Sequence, residues 1–128
     1  MKYLLDTHAF IWLDNDPDKL STRSAELCRD PNNILLLSVV SIWEMQIKLQ
    51  LGKLTLPAPL RQTIENQQRD NQITLLPIEL PHIYGLSNLP DHHKDPFDRL
   101  LIAQAMIEGL TLLTNDPYLV QYPVKSIW

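Results

Sequence analysis

Four acidic residues, Asp6, Glu44, Asp98 and Asp116, stand where short apolar runs give way to helix-forming sequence. Asp6 follows the run Lys2 to Leu5, and Asp116 follows Thr111 to Leu113. Glu44 lies about one helical turn beyond Ile34 to Leu37, and Asp98 falls in the first turn of a helix expected over 95–108. Each acid alone has an ordinary explanation. A carboxylate at a helix start caps backbone N–H groups and complements the helix dipole, an effect worth about 0.3 to 2 kcal/mol. Glu44 fits that explanation best, as the return partner of Ser41 in the capping-box string Ser41-Ile42-Trp43-Glu44. Joint placement points elsewhere. Two carboxylates about 5 Å apart at an effective dielectric near 20 repel by about 3 kcal/mol, so four that converge require a cation. A ligand set made of oxygen alone suits Mg²⁺ or Mn²⁺ better than zinc, which favours His and Cys.

The elements that would bring these acids together are readable from the apolar pattern. Lys2 to Leu5, Ile34 to Leu37, Ile73 to Leu76, Thr111 to Leu113 and Val124 to Ile127 predict five strands, separated by stretches with helical spacing. Buried strands alternating with helices predict the α/β class, a three-layer α/β/α domain around a central parallel sheet of about five strands. In such sheets the helix starts that follow strands gather at the carboxyl edge, where ligands bind. Asp95-Pro96 and Asp116-Pro117 each predict a helix start with Asp at N-cap and Pro at N1, and Gly52 and Gly109 predict helix ends. A polar helix is expected over 58–70 and a shorter one over 79–88, before the loop Leu89 to Lys94.

Composition bounds the rest. A chain of 128 residues, 45% hydrophobic, buries about two-thirds of its unfolded surface, so residues 1–128 are expected to form one domain. The single cysteine, Cys28, has no internal disulfide partner, which predicts a cytoplasmic setting. Asp6 and His8 interrupt the N-terminal apolar run before it reaches signal-peptide or membrane-spanning length; neither a targeting segment nor a membrane partner is expected. A formal net charge of −4 argues against a general polyanion-binding surface. Bound divalent ions would reverse the local sign.

The strings LLDTHAFIW, SVVSIWEMQIK, DPFDRLLIAQA and TLLTNDPYL, in this order and over nearly the full chain, resemble the four acidic signature regions of PIN domains. They are most similar to the VapC-like toxins of bacterial type II toxin–antitoxin systems. The resemblance implies that Asp6, Glu44, Asp98 and Asp116 are the catalytic, metal-holding acids, with Thr7 and Ser41 at supporting hydroxyl positions. It also implies a Mg²⁺- or Mn²⁺-dependent endoribonuclease acting on RNA, a homodimer, and a cognate antitoxin whose segment blocks the acidic site. Asp95, as the expected N-cap, supports Asp98 rather than replacing it.

Several further residues invite a role. His92, His93 and Lys94 are candidates for contact with RNA phosphate. Arg99 is another, although an i,i+4 ion pair with Asp95 explains it equally well. Lys48, four residues beyond Glu44, is expected to pair with it, and His8 is expected to pack rather than to bind metal. Trp12, Trp43 and Trp128 with Ile42, Met45, Ile47, Leu49 and Leu51 cover more than one helix face, which fits either core packing or a dimer or partner surface. Two competing functions share the pattern. One is a catalytically silent binding module of the same fold. The other is a phosphatase with an aspartate nucleophile, disfavoured because such chemistry usually needs a second Asp two residues on, where this chain has His8.

Overall fold

A computed structural model describes all 128 residues. The chain runs β1 (Lys2–Leu5), α1 (Thr7–Asn15), a 3₁₀ turn (Pro17–Lys19), α2 (Thr22–Arg29), β2 (Ile34–Ser38), α3 (Val39–Gln50) and α4 (Leu60–Asp70). It continues through β3 (Thr74–Leu76), α5 (Leu80–Gly85), a second 3₁₀ turn (Leu86–Asn88), α6 (Pro96–Glu108), β4 (Thr111–Leu113) and β5 (Ser126–Ile127). The five strands form one sheet in the order β3-β2-β1-β4-β5, and every pairing is parallel. β1 is central. From it the chain moves outward through β2 and β3, then returns to lay β4 on its other side, with Leu5 opposite both Leu37 and Leu113. The strand order therefore reverses between β1 and β4, and the crevice beyond their carboxyl ends is where open α/β sheets bind ligands.

Alternation along the strands divides the core into two layers, as the period-two geometry of a strand requires. Leu4, Leu36 and Leu112 point to one face and meet Leu101, Ile102 and Ala105 of α6 together with Leu119 and Tyr122. Tyr3, Leu5, Leu35, Leu37 and Leu113 point to the other and meet Phe10 of α1, Met45 of α3 and Ile64 of α4. This is the expected three-layer α/β/α arrangement. Gly109 ends α6 with φ 66°, a left-handed residue that favours glycine, and Asp95 with Pro96 opens it as read from the sequence.

Two helix starts differ from expectation. α3 begins at Val39, capped by Ser38, whose hydroxyl accepts from the Val40 N–H at 3.0 Å. Ser41 and Glu44 therefore lie inside the helix, and the anticipated capping box does not form. β2 runs on to Ser38, paired with Leu76, so the first hydroxyl available at the strand end takes the cap. Asp116-Pro117 opens only a turn, in which the Asp116 carbonyl accepts from the N–H groups of Leu119 and Val120. The ladder goes no further: the Tyr122 N–H turns to the Leu119 carbonyl in a tighter bond, and Pro123 has no N–H to extend a helix. The outer strands are also shorter than their apolar runs, since Ile73 and Val124 lie outside β3 and β5.

A candidate metal centre at the carboxyl edge of the sheet

Asp6, the first residue beyond β1, is 5% exposed and caps α1. Its Oδ1 accepts from the Ala9 N–H at 2.7 Å and its Oδ2 from the Thr114 hydroxyl, while its own N–H donates to Leu113 at 3.1 Å. Burial pushes this carboxyl above its ordinary pKa, against the pull of Thr114, Ala9 and His8, and the charge of Asp116 adds to the rise. Asp116 reaches the same place from the end of β4. Its N–H donates to Thr114 Oγ1 at 3.0 Å, and its Oδ1 accepts from the Tyr118 N–H at 2.9 Å. Thr114 thus ties the two strand-end acids to each other, a role the sequence reading missed. The signal was a hydroxyl residue closing a buried strand two positions before an acid.

Glu44 approaches from the second turn of α3 and is buried. Thr7 Oγ1 donates to Glu44 Oε1 at 2.8 Å and lies 3.0 Å from Ser41 Oγ. Lys48 Nζ sits 2.6 Å from Glu44 Oε2, so the anticipated i,i+4 pair is present. Both hydroxyls expected to support the site, Thr7 and Ser41, therefore stand behind Glu44. Asp98 completes the set from the first turn of α6. Its N–H, with that of Phe97, donates to Asp95 Oδ1 at 3.0 and 2.9 Å, and its Oδ2 lies 2.9 Å from His93 Nε2. Burial first, then the charges of Asp95 and Glu44, push the Asp98 carboxyl up to about 6, with His93 offsetting part of the rise.

All four acids line one cleft of about 110 Å³, together with Thr7, His8, Lys48, Asp95 and Leu119. His93, Asp95 and Asp98 offer ligand atoms within 4.8 Å of one another, which places a nitrogen donor beside the oxygen set. The remaining candidates separate. His92 packs edge-on to Tyr122, His93 stacks on Tyr118, and Lys94 is exposed. Arg99 makes no ion pair with Asp95. Its guanidinium donates to the carbonyls of Pro90, Leu86 and His93 at 2.9, 3.3 and 3.4 Å, and to Tyr122 Oη at 3.3 Å, clamping the loop that carries His93. His8 is exposed with its ring 5.7 Å from that of Trp12. Of the apolar set, Met45 is core, whereas Trp43 is 55% exposed against the edge of Phe97. A larger cleft of about 400 Å³ between α5 and α6 is lined by Pro81, Tyr84, Leu89, Met106 and Ile107. It holds no acid or imidazole to do chemistry.

The family model for the PIN domain matches residues 3–125 of this chain. Among solved structures, the chain is similar to VapBC2 from Rickettsia felis, crystallised with a DNA fragment from their promoter, at 18% identity and a TM-score of 0.74, covering 99% of this chain and 98% of that one. It is similar to VapBC-1 from nontypeable Haemophilus influenzae at 18% identity and a TM-score of 0.64, over 99% and 97% of the two chains. A third likeness is to FitAcB from Neisseria gonorrhoeae, at 15% identity and a TM-score of 0.62, over 98% and 96%. At these identities the likeness is one of fold. No curated protein matches in sequence.

Proposed function

This chain belongs to the PIN domain family, whose members include nucleases, and on that premise we propose that it is a divalent-cation-dependent endoribonuclease, the toxin of a toxin–antitoxin pair. The observation that carries the reading is the meeting of Asp6, Glu44, Asp98 and Asp116, from four separate elements, in one small cleft. Their chemistry fits a hard cation. The set is rich in carboxylate oxygen, and two of its members are held above their ordinary pKa by burial and by neighbouring acids, Asp6 by Asp116 and Asp98 by Asp95 and Glu44. A cation relieves that cost, and Mg²⁺ or Mn²⁺ is the natural choice for such ligands. Asp6, Asp98 and Asp116, with Glu44 beside them, would hold it. When bound, the ion supplies Lewis acidity toward phosphate and a more acidic water for hydrolysis of the phosphodiester.

The chain's own residues fix where those oxygens point. The Ala9 N–H and the Thr114 hydroxyl hold Asp6 by both oxygens, and His93 holds Asp98 by Oδ2. Thr7 and Lys48 hold Glu44, and the Lys48 ammonium brings positive charge to the cleft, where phosphate would approach. Such preorganised groups act without reorganising during reaction. An aspartate nucleophile is less well supported, because both Asp6 oxygens are engaged and His8, two residues on, faces solvent.

The antitoxin partner is supported by the resemblance and by the likeness to chains from VapBC2, VapBC-1 and FitAcB. The homodimer rests on the resemblance, with Trp43 of α3 55% exposed and available to an interface. No helix is long and apolar enough to cross a membrane. The deciding experiment incubates the purified chain with labelled total RNA in Mg²⁺, in Mn²⁺ and in excess chelator, and maps the RNA ends. Ends that appear with either metal, vanish with chelator and are absent for Asp98→Asn support the reading; ends that persist in chelator overturn it.

A further inference from the structure

Cationic side chains around the acid cleft are mostly committed. Lys48 is paired with Glu44 at 2.6 Å, and Arg99 spends its guanidinium on the carbonyls of Pro90, His93 and Leu86. Lys94, exposed next to Asp95, is the lysine left to meet a polyanionic strand arriving here, so its hold must also draw on other forces. An aromatic stack stands beside the acids. The His93 imidazole, bound to Asp98 at 2.9 Å, lies face to face with the Tyr118 ring, with centroids 5.0 Å apart and planes 12° from parallel. Tyr118 is fastened at its other end, since its N–H donates to Asp116 Oδ1 at 2.9 Å. The pair therefore bridges two of the acids. Tyr118 remains 54% exposed although His93 covers one face of its ring, which leaves the opposite face open to solvent. A flat, rigid, uncharged ring with one free face, one imidazole away from Asp98, has the form of the platforms on which unpaired bases stack.

We propose that the free face of Tyr118 receives one unpaired nucleobase of the substrate strand and thereby sets the neighbouring phosphodiester over the acid cleft. The proposal rests on the nuclease reading and adds to it that the substrate is single-stranded at this position. Stacking is tolerant of base identity, so this contact selects unpaired over paired RNA rather than one sequence over another.

The test uses fluorescein-labelled oligouridylate and oligoadenylate of about ten nucleotides and the full-length chain with Ca²⁺ in place of Mg²⁺, with anisotropy reporting Kd and thermal melting confirming that each variant folds. Tyr118→Ala is expected to weaken binding about tenfold, and Tyr118→Phe to stay within about twofold of the parent, with an unchanged dependence on salt because no ionic contact is lost. A single abasic nucleotide moved along the probe should cost the parent about tenfold at one position and cost Tyr118→Ala nothing further there. A tyrosine that merely shields the His93–Asp98 contact would leave abasic and intact probes equally affected by the substitution, and that result overturns the proposal. Equal Kd for parent and Tyr118→Ala, while both cleave the probe in Mg²⁺, overturns the platform and spares the nuclease reading. A parent chain that neither binds nor cleaves either probe overturns both.

Discussion

Lys48 Nζ and Glu44 Oε2 lie 2.6 Å apart on adjacent turns of α3, and this pair supplies the lysine among the residues that line the acid cleft. Glu44 is buried, whereas Lys48 reaches it from a partly exposed position. Its ammonium neutralises Glu44, one of the acids whose charge raises the Asp98 carboxyl. Removing it leaves a buried carboxylate facing others of its own sign, a state costly to keep ionised.

Lys48→Met should therefore lower the stability of the metal-free protein by about 1 to 2 kcal/mol, and millimolar Mg²⁺ should recover most of the loss. Thermal melts of parent and variant, each with and without Mg²⁺, check this. An equal gap between them in both buffers would mean that the lysine and the metal do not answer the same charge.

Saturating Mg²⁺ or Mn²⁺ should raise the melting temperature of the parent, as a ligand that binds only the folded state must, and excess chelator should reverse the rise. Asp6→Asn should abolish most of it. The Asn variant should melt no lower than the parent in chelator, because repulsion within the acid set is relieved.

Asp98 gives the metal-free protein a distinctive pH dependence. Its folded carboxyl sits at about 6 against an ordinary 3.8, so between those values the folded state binds more protons than the unfolded one. Stability from this group is complete below the unfolded value and is lost as pH rises through the folded one. The unfolding free energy read from urea titrations should consequently rise as pH falls from 7.5 toward 4.5, by at most about 3 kcal/mol from Asp98. Asp98→Asn should flatten that slope and stabilise the protein at pH 7.5. An unchanged slope in the variant would assign the dependence to other groups.

Asp95 and Asp98 share one helix turn and divide its work. Asp95 accepts the N–H groups of Phe97 and Asp98, so Asp95→Asn, which caps nearly as well, should cost at most about 1 kcal/mol and keep most cleavage. Asp98→Asn should lower cleavage by orders of magnitude while the protein stays folded. Comparable losses in both variants at saturating Mg²⁺ would show that both carboxylates serve the metal.

Strands β1, β2 and β4 and the α6 boundaries were legible because each rests on local chemistry: unbroken apolar runs, Asp-Pro at a helix start, glycine at its end. The positions of Asp6 and Asp116 at the sheet edge were legible for a related reason, since a residue just beyond a parallel strand is placed by the strand itself. What escaped was decided by distant partners. Ser38 and Ser41 are equally good caps in isolation, and the pairing of Ser38 with Leu76 selects the former. Thr114 is marked only as a hydroxyl residue closing a buried strand, with Asp6 as its acceptor set by the fold, and His93 reads as a solvated loop residue until Arg99 and Tyr122 fold that loop onto α6. The helix expected after Asp116 ends within one turn, its last i,i+4 bond running from the Val120 N–H to the Asp116 carbonyl.

The central place of β1 bears on when the acid cleft forms as the chain leaves the ribosome. β1 is made first, yet one of its two flanking neighbours is β4, and the Thr114–Asp6 contact spans 108 residues. Contacts of such separation form late and slowly, and a vectorially emerging chain can pair β1 with β2 long before β4 exists. Any nascent chain stalled short of β4 carries Asp6 and Glu44 without Asp116 or the hydroxyl that aligns Asp6. The cleft is thus assembled only once β4 has emerged and paired with β1.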